Sequence, residues 1–262
     1  MSLVDWNTRW SHSETLSQVA DAVRDAFLTA GYPQDCVRFQ PFAMPNGSPQ
    51  RNVLCGASEL GAGLVLLCAH YDSQSTGPTA PAPGCDDNAS GVAVVLEVAR
   101  ILRDAAMHQN VLFAAFAGEE QGLFGSRACA EIAAAEGWDL KLVINLDMVG
   151  HNSSAKPQTT IVEYDQGNRV PDNDAKSREF AAIMAQAAVD YTNLSVEHDN
   201  ISNSDYMPFE ARGYVCVGVY DGAAAFDFYH TENDTIDKVD LGYLSEVTKL
   251  VVGAVATISE PS

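Results

Sequence analysis

The sequence predicts a three-layer α/β/α protein in which a central mixed, mostly parallel sheet is covered by helices on both faces. Short, wholly apolar runs such as residues 64–68 and 111–117 read as strands buried on both faces. They alternate with stretches of helical period, and an early pair of apolar runs adds antiparallel strands.

Between residues 17 and 29, Val19, Val23 and Phe27 recur every four positions, the mark of a helix with one buried stripe, closed by Gly31-Tyr32-Pro33. A Pro-, Gly- and Asn-rich stretch follows and reads as a loop. Residues 53–55 and 64–68, joined by Glu59-Leu60-Gly61-Ala62-Gly63, read as a hairpin. A helix over 91–102, a strand over 111–117, a helix over 123–135 and a strand over 142–146 come next. Residues 151–172 are polar and read as a loop or insertion. The pattern resumes with a helix over 180–188, a strand over 214–220 and a last helix over 241–258. No repeat or long linker separates folding units, so residues 1–262 read as one domain.

Fifteen Lys and Arg face 35 Asp and Glu, a formal charge of -20 that repels nucleic acid and anionic membranes and favours a cationic ligand such as a free amino terminus. The opening MSLVDWNTRW lacks the basic and apolar regions of a signal peptide, and no later apolar run reads as a membrane span. The expectation is a soluble chain, cytoplasmic as written, or secreted or periplasmic if a leader has been removed. No C-x-x-C pair occurs among the six cysteines, so a thiolate metal site is not indicated. Nothing in the sequence sets an oligomeric state.

Chemistry-bearing residues collect where strands are predicted to end. His70 closes one strand, with Asp72 two positions on. Pro83-Gly84-Cys85-Asp86-Asp87-Asn88-Ala89-Ser90-Gly91 delivers two carboxylates at a helix start. Gly118-Glu119-Glu120 and Asn145-Leu146-Asp147-Met148 end two further strands, and Tyr229-His230-Thr231-Glu232-Asn233-Asp234-Thr235 comes late in the chain. In an open α/β sheet such loops converge outside the carboxyl ends of the strands. Carboxylates gathered there repel one another, and a cation is the natural resolution.

In this order and spacing the five motifs resemble peptidase family M28, the zinc-dependent aminopeptidases, over about residues 9–240. The resemblance implies a zinc-exopeptidase fold, two zinc ions per chain and peptide substrates with a free N-terminus. It makes Asp86 the carboxylate bridging both ions, followed by a cis peptide bond to Asp87. His70 and Asp147 would complete one zinc, and Glu120 and His230 the other; cobalt or manganese suits the same donors. Asp72 would accept a hydrogen bond from the far nitrogen of His70. Two dications, three carboxylates and one bridging hydroxide make a neutral cluster, with that hydroxide as nucleophile. Neighbouring residues at a strand end project differently, so Glu120 reaches metal while Glu119 serves as general base. Ser204, Asp205, Tyr206 and Tyr229 would line the substrate pocket, with Tyr206 or Tyr229 aiding the oxyanion. Cys85 reads as a small packed side chain.

The rival readings are a glutaminyl-peptide cyclotransferase on the same scaffold, a carboxypeptidase-type relative sharing the metals, and a non-catalytic metal-binding domain. Absence of G-x-S-x-G and H-E-x-x-H disfavours serine hydrolase and single-zinc peptidase chemistry.

Overall fold

A computed structural model describes residues 3–56, 63–78, 80–105, 110–222 and 227–259. Eight strands form one sheet in the order β1-β2-β4-β3-β5-β8-β6-β7. They are β1 (Val37–Ala43), β2 (Pro49–Cys55), β3 (Leu64–His70), β4 (Val111–Phe116), β5 (Leu140–Leu146), β6 (Thr159–Tyr164), β7 (Ser195–Asn200) and β8 (Cys216–Tyr220). The central four, β4-β3-β5-β8, are mutually parallel, while β2 and β6 join them antiparallel. The mixed α/β architecture predicted from sequence is the one observed.

Successive β3 side chains go to opposite faces, and the two cores divide accordingly. Val65, Leu67 and Ala69 pack with helices α1 (Leu16–Thr29), α2 (Gly91–Leu102), α4 (Asp174–Tyr191) and α6 (Leu241–Ser259). Leu64, Leu66 and Cys68 pack on the other face with α3 (Phe124–Glu136) and Phe209 of the short α5 (Met207–Glu210). Every β3 residue is buried, as expected of a central parallel strand. The chain runs from β3 to β4 on one side and then crosses back to β5 on the other. The order therefore reverses at β3, and the crevice at its carboxyl end is a topological switch point.

Three expectations need correction. Residues 53–55 and 64–68 do not pair as a hairpin, because β4 lies between β2 and β3; the predicted connection falls mostly in 57–62, outside the described residues. The hairpin is instead β1–β2, closed through Asn46-Gly47, where Met44 N donates to Ser48 O at 2.9 Å and Gly47 takes φ 83°. Its first strand carries Pro41 and lies at the sheet edge, where a missing N–H costs no ladder bond. The polar stretch 151–172 contains strand β6, and β7 was also missed, being a largely exposed edge strand with the polar sequence SVEHDN. Finally, α6 is apolar and long enough to cross a membrane, with a mean hydropathy of 1.4, contrary to the expectation that no run reaches that length. It packs against α2 and α4, with Tyr243, Val247 and Leu250 buried, as a core helix does.

Inside β6, Glu163 is buried and accepts the Tyr206 hydroxyl at 2.8 Å. A Cβ on the facing Gly218 would come within 2.4 Å of Glu163 Oε2, so only glycine leaves room for this pair. Burial pushes the Glu163 carboxyl up to about 8, against the pull of Tyr206. The folded state therefore holds this proton more tightly than the unfolded chain, and the group's contribution to stability is lost as pH rises from 4.5 through about 8. Glu163→Gln is expected to melt progressively higher than the parent across that window, with no change in the difference below it. Parallel melting curves at every pH would contradict the assignment.

Candidate metal centre

Three parallel strands end side by side at this crevice. His70 is the last residue of β3, Glu119 and Glu120 follow β4, and Asp147 follows β5. The loop before α2 supplies Asp87, and the turn at 228–231 supplies His230, which takes φ 54°.

Asp87 lies between the two histidines. Its Oδ1 is 3.2 Å from His70 Nε2, and its Oδ2 is 3.0 Å from His230 Nε2. His70 Nε2 is also 3.3 Å from Asp147 Oδ1, while His230 Nε2 is 3.0 Å from Glu120 Oε2. Two donor sets result, His70–Asp87–Asp147 and Asp87–Glu120–His230, each with its atoms within 4.8 Å of one another. A third set, His70–Glu119–Glu120, overlaps them. Two ligands of a tetrahedral zinc, each at about 2.1 Å, stand about 3.4 Å apart, so this spacing fits the ion. Glu120 Oε1 is buried and has no hydrogen-bond partner among the described residues, as suits a carboxylate meant for a cation.

This arrangement corrects the assignment of Asp86 as the bridging carboxylate. Asp86 Oδ1 accepts from Gly150 N at 2.8 Å, and its backbone carbonyl accepts the Ser90 hydroxyl at 2.6 Å. Ser90 Oγ in turn accepts from Val149 N at 3.0 Å, so Asp86 and Ser90 together hold the chain that follows Asp147. Adjacent acids in an irregular loop point apart, and here the second faces the histidines. The cis peptide bond lies at Asp87–Asn88 rather than Asp86–Asp87.

Several other groups fix the ligands. Asp234 accepts from Asp86 N through Oδ1 and from Asp87 N through Oδ2, both at 2.9 Å. Asn88 donates to Leu146 O at 2.8 Å and accepts from Gly91 N at 3.0 Å, tying the Asp87 loop to β5 and α2. Arg9 is wholly buried and clamps the same loop by donating to Gly84 O and Tyr71 O, each at 2.8 Å, and to Pro83 O. Gly84 sits at φ 52°, where a Cβ would come within 2.4 Å of the Asp87 carbonyl. Neither Arg9 nor Asp234 was assigned a role from the sequence.

Asp72 does more than face His70. Its Oδ1 lies 3.6 Å from His70 Nδ1, whereas the Asp72 backbone carbonyl is closer, at 3.3 Å. The carboxylate accepts the amides of Glu119 and Glu120, each at 3.3 Å, and the Ser11 hydroxyl at 2.8 Å. It thereby sets the backbone from which the two adjacent glutamates diverge. Ser204 donates to Asp147 Oδ2 at 2.6 Å and accepts from Asn145 Nδ2 at 2.7 Å, so it orients a donor of the centre. Asp205 is fully buried; burial pushes its carboxyl up to about 7, although His70 pulls the other way. Tyr206 is buried with its hydroxyl held by Glu163 and by Ser202 O at 2.7 Å, which leaves it no free donor for an oxyanion. Tyr229 is exposed and stacks on His230 with centroids 3.6 Å apart. Cys85 is buried and belongs to none of the donor sets.

Burial and mutual repulsion raise the two glutamates, and the surrounding carboxylates raise both imidazoles. Burial raises the Glu119 carboxyl well above its usual range, with Asp147, Asp205 and Glu120 adding to the effect against His70. Burial and then Asp87 push Glu120 up to about 8, against the pull of His230. Burial alone would depress His230, yet Asp87 and Glu120 outweigh it and hold the imidazole at about 10. The imidazole of His70 is likewise raised, because Asp147 and Glu119 overcome its burial.

Residues 52–255 match the model of Peptidase family M28, and the chain belongs to that family. It is 30% identical over 232 residues to a probable zinc metalloprotease of Leptosphaeria maculans, covering 75% of this chain and 54% of the relative. Over 198 residues it is 29% identical to an aminopeptidase of Bacillus subtilis, covering 73% of this chain and 40% of the relative. The chain thus spans about half the length, or less, of these curated relatives. Among solved structures, the LapA aminopeptidase of Legionella pneumophila matches with a TM-score of 0.82 at 19% identity, covering 99% of this chain and 70% of that one. A zinc aminopeptidase from Bacillus subtilis matches with a TM-score of 0.66 at 25% identity, covering 80% of this chain and 50% of that one.

The geometry separates the two neighbouring aspartates by experiment. After zinc loading and dialysis, Asp86→Asn is expected to retain as much zinc per chain as the parent, and Asp87→Ala less than about half as much. Elemental analysis showing the reverse ranking would return the bridging role to Asp86.

Proposed function

We propose that the chain is a di-zinc aminopeptidase that hydrolyses the N-terminal residue from peptides. The observation carrying this reading is the Asp87 carboxylate, which offers one oxygen to each of two donor sets completed by His70 and Asp147 and by Glu120 and His230. Both sets consist of imidazole and carboxylate without thiolate, the chemistry of catalytic zinc. When bound, zinc at these ligands supplies Lewis acidity, polarising the scissile carbonyl and lowering the pKa of water towards 7. Cobalt and manganese accept the same donors.

Glu119 belongs to the reaction rather than to either principal donor set. Its Oε2 stands 4.0 Å from His70 Nε2, beside the centre. From there its carboxylate takes the proton of the attacking water and returns it to the leaving amine. Asp72 holds the Glu119 and Glu120 amides so that one acid serves as ligand and the other as base. Ser204 keeps Asp147 oriented. Tyr229, exposed beside His230, is the side chain left to assist the developing oxyanion. The acidic crevice draws the substrate's terminal ammonium group, and the aminopeptidase among the relatives favours the amino end over the carboxyl end.

Glu119→Gln keeps the shape of the side chain and removes the base. With an aminoacyl 4-nitroanilide, kcat is expected to fall by about 10²–10⁴ while zinc content stays at the parent level. Near-parental turnover in the zinc-loaded variant would remove Glu119 from the base role.

A further inference from the structure

A second cleft of about 430 Å³ lies between α3, α5 and the loops at 168–169 and 201–203. Its charge is opposite to that of the protein. Arg127, Arg169 and Arg212 line it, three of only 15 cationic residues in a chain of formal charge -20, and Glu131 is its single acid. Glu131 is already matched, at 3.0 Å, by Arg212. The guanidinium groups of Arg127 and Arg169 are exposed and make no ion pair or hydrogen bond among the described residues. Two positive charges therefore face the cleft uncompensated.

The cleft is built rather than incidental. The loop carrying Arg169 is pinned by buried Glu210, whose Oε1 accepts from Arg169 N at 2.7 Å and Val170 N at 2.8 Å. Asn168 donates to Ile201 O at 3.0 Å and joins that loop to the opposite wall. Two walls continue into the candidate centre. Leu123 belongs to the turn closed by Leu123 N donating to Glu119 O at 2.9 Å, and Arg127 lies one helical turn further on. Asn203 immediately precedes Ser204, the group that orients Asp147.

We propose that this cleft receives a carboxylate of the substrate on the leaving-group side of the scissile bond, with Arg127 and Arg169 as its binding groups; this rests on the aminopeptidase reading above. Charge decides the direction. A terminal ammonium group is repelled by the arginines and attracted by the acidic centre, so the amino end lies at the centre and the arginine cleft takes the chain that departs. That side also contains the turn of Glu119, the group that returns a proton to the departing amine. Guanidinium matches carboxylate in fork geometry, and the cleft volume accommodates a short peptide segment. Two sources present this chemistry: the C-terminal carboxylate of a short peptide and an Asp or Glu side chain near the cleavage point.

Four zinc-loaded enzyme assays separate them. Leu-Gly-Gly is compared with its C-terminal amide, and Leu-Glu-Gly amide with Leu-Gln-Gly amide, in the parent and in Arg127→Gln/Arg169→Gln. The parent is expected to favour the carboxylate-bearing member of at least one pair by about tenfold in KM, the order of one charge-assisted contact in a partly exposed cleft. Which pair shows the preference names the source. The double variant should lose that preference through KM, with kcat and the hydrolysis of leucyl 4-nitroanilide unchanged. Indifference of the parent to the carboxylate, or a preference that survives in the variant, overturns the cleft assignment alone. Failure of the loaded parent to hydrolyse the anilide and all four peptides overturns the aminopeptidase reading, and the cleft assignment falls with it.

Discussion

Four carboxylates, those of Asp87, Glu119, Glu120 and Asp147, converge with two imidazoles where β3, β4 and β5 end, and their mutual repulsion constrains everything around them. Two like charges 4 Å apart in a partly polar interior cost about 4 kcal/mol. Several such pairs would be enough to unfold a protein of ordinary stability, so the fold must hold both the acids and the cations that offset them. Asp87 is central because its two oxygens reach both imidazoles, at 3.2 Å and 3.0 Å. Zinc held at the same donors, as proposed above, would replace proton-mediated compensation by full positive charge.

Those acids are held in place by a scaffold of buried polar groups that lie outside the donor sets. Asp234 binds the two amides preceding the Asp87 side chain, Arg9 clamps the carbonyls of its loop, and Asn88 fastens that loop to β5. Asp72 performs the same task for Glu119 and Glu120, while Asp86 and Ser90 secure the chain after Asp147. Each of these bonds orients a donor rather than supplying one. The parallel sheet makes the arrangement possible, since the order reversal at β3 sets the β4 and β5 loops on either side of His70.

Much of this was legible in the amino-acid sequence. The wholly apolar β3 and β4, the helix at 91–102 and the helix from Leu16 announce themselves because burial on both faces, or on one stripe, leaves a periodic trace. Edge elements leave no such trace: β1 carries Pro41 and read as a loop, and β7, largely exposed and polar, drew no assignment. His70, Glu119, Glu120 and Asp147 were legible by their placement after strands, and the aspartates at 86–87 and His230 by the order of the motifs. The choice between Asp86 and Asp87 was not legible, because it depends on the path of an irregular loop through Gly84 at φ 52° and on which amides Asp234 captures. Arg9 was equally invisible, since its partners Tyr71, Pro83 and Gly84 are more than sixty positions away.

The most direct trial of this account is anomalous diffraction at the zinc edge from crystals of the zinc-loaded protein. Two peaks are predicted, one on either side of the Asp87 carboxylate, the first also within about 2.0–2.2 Å of His70 and Asp147 and the second of Glu120 and His230. A single peak, or density centred on the carboxylate of Asp86, would contradict it.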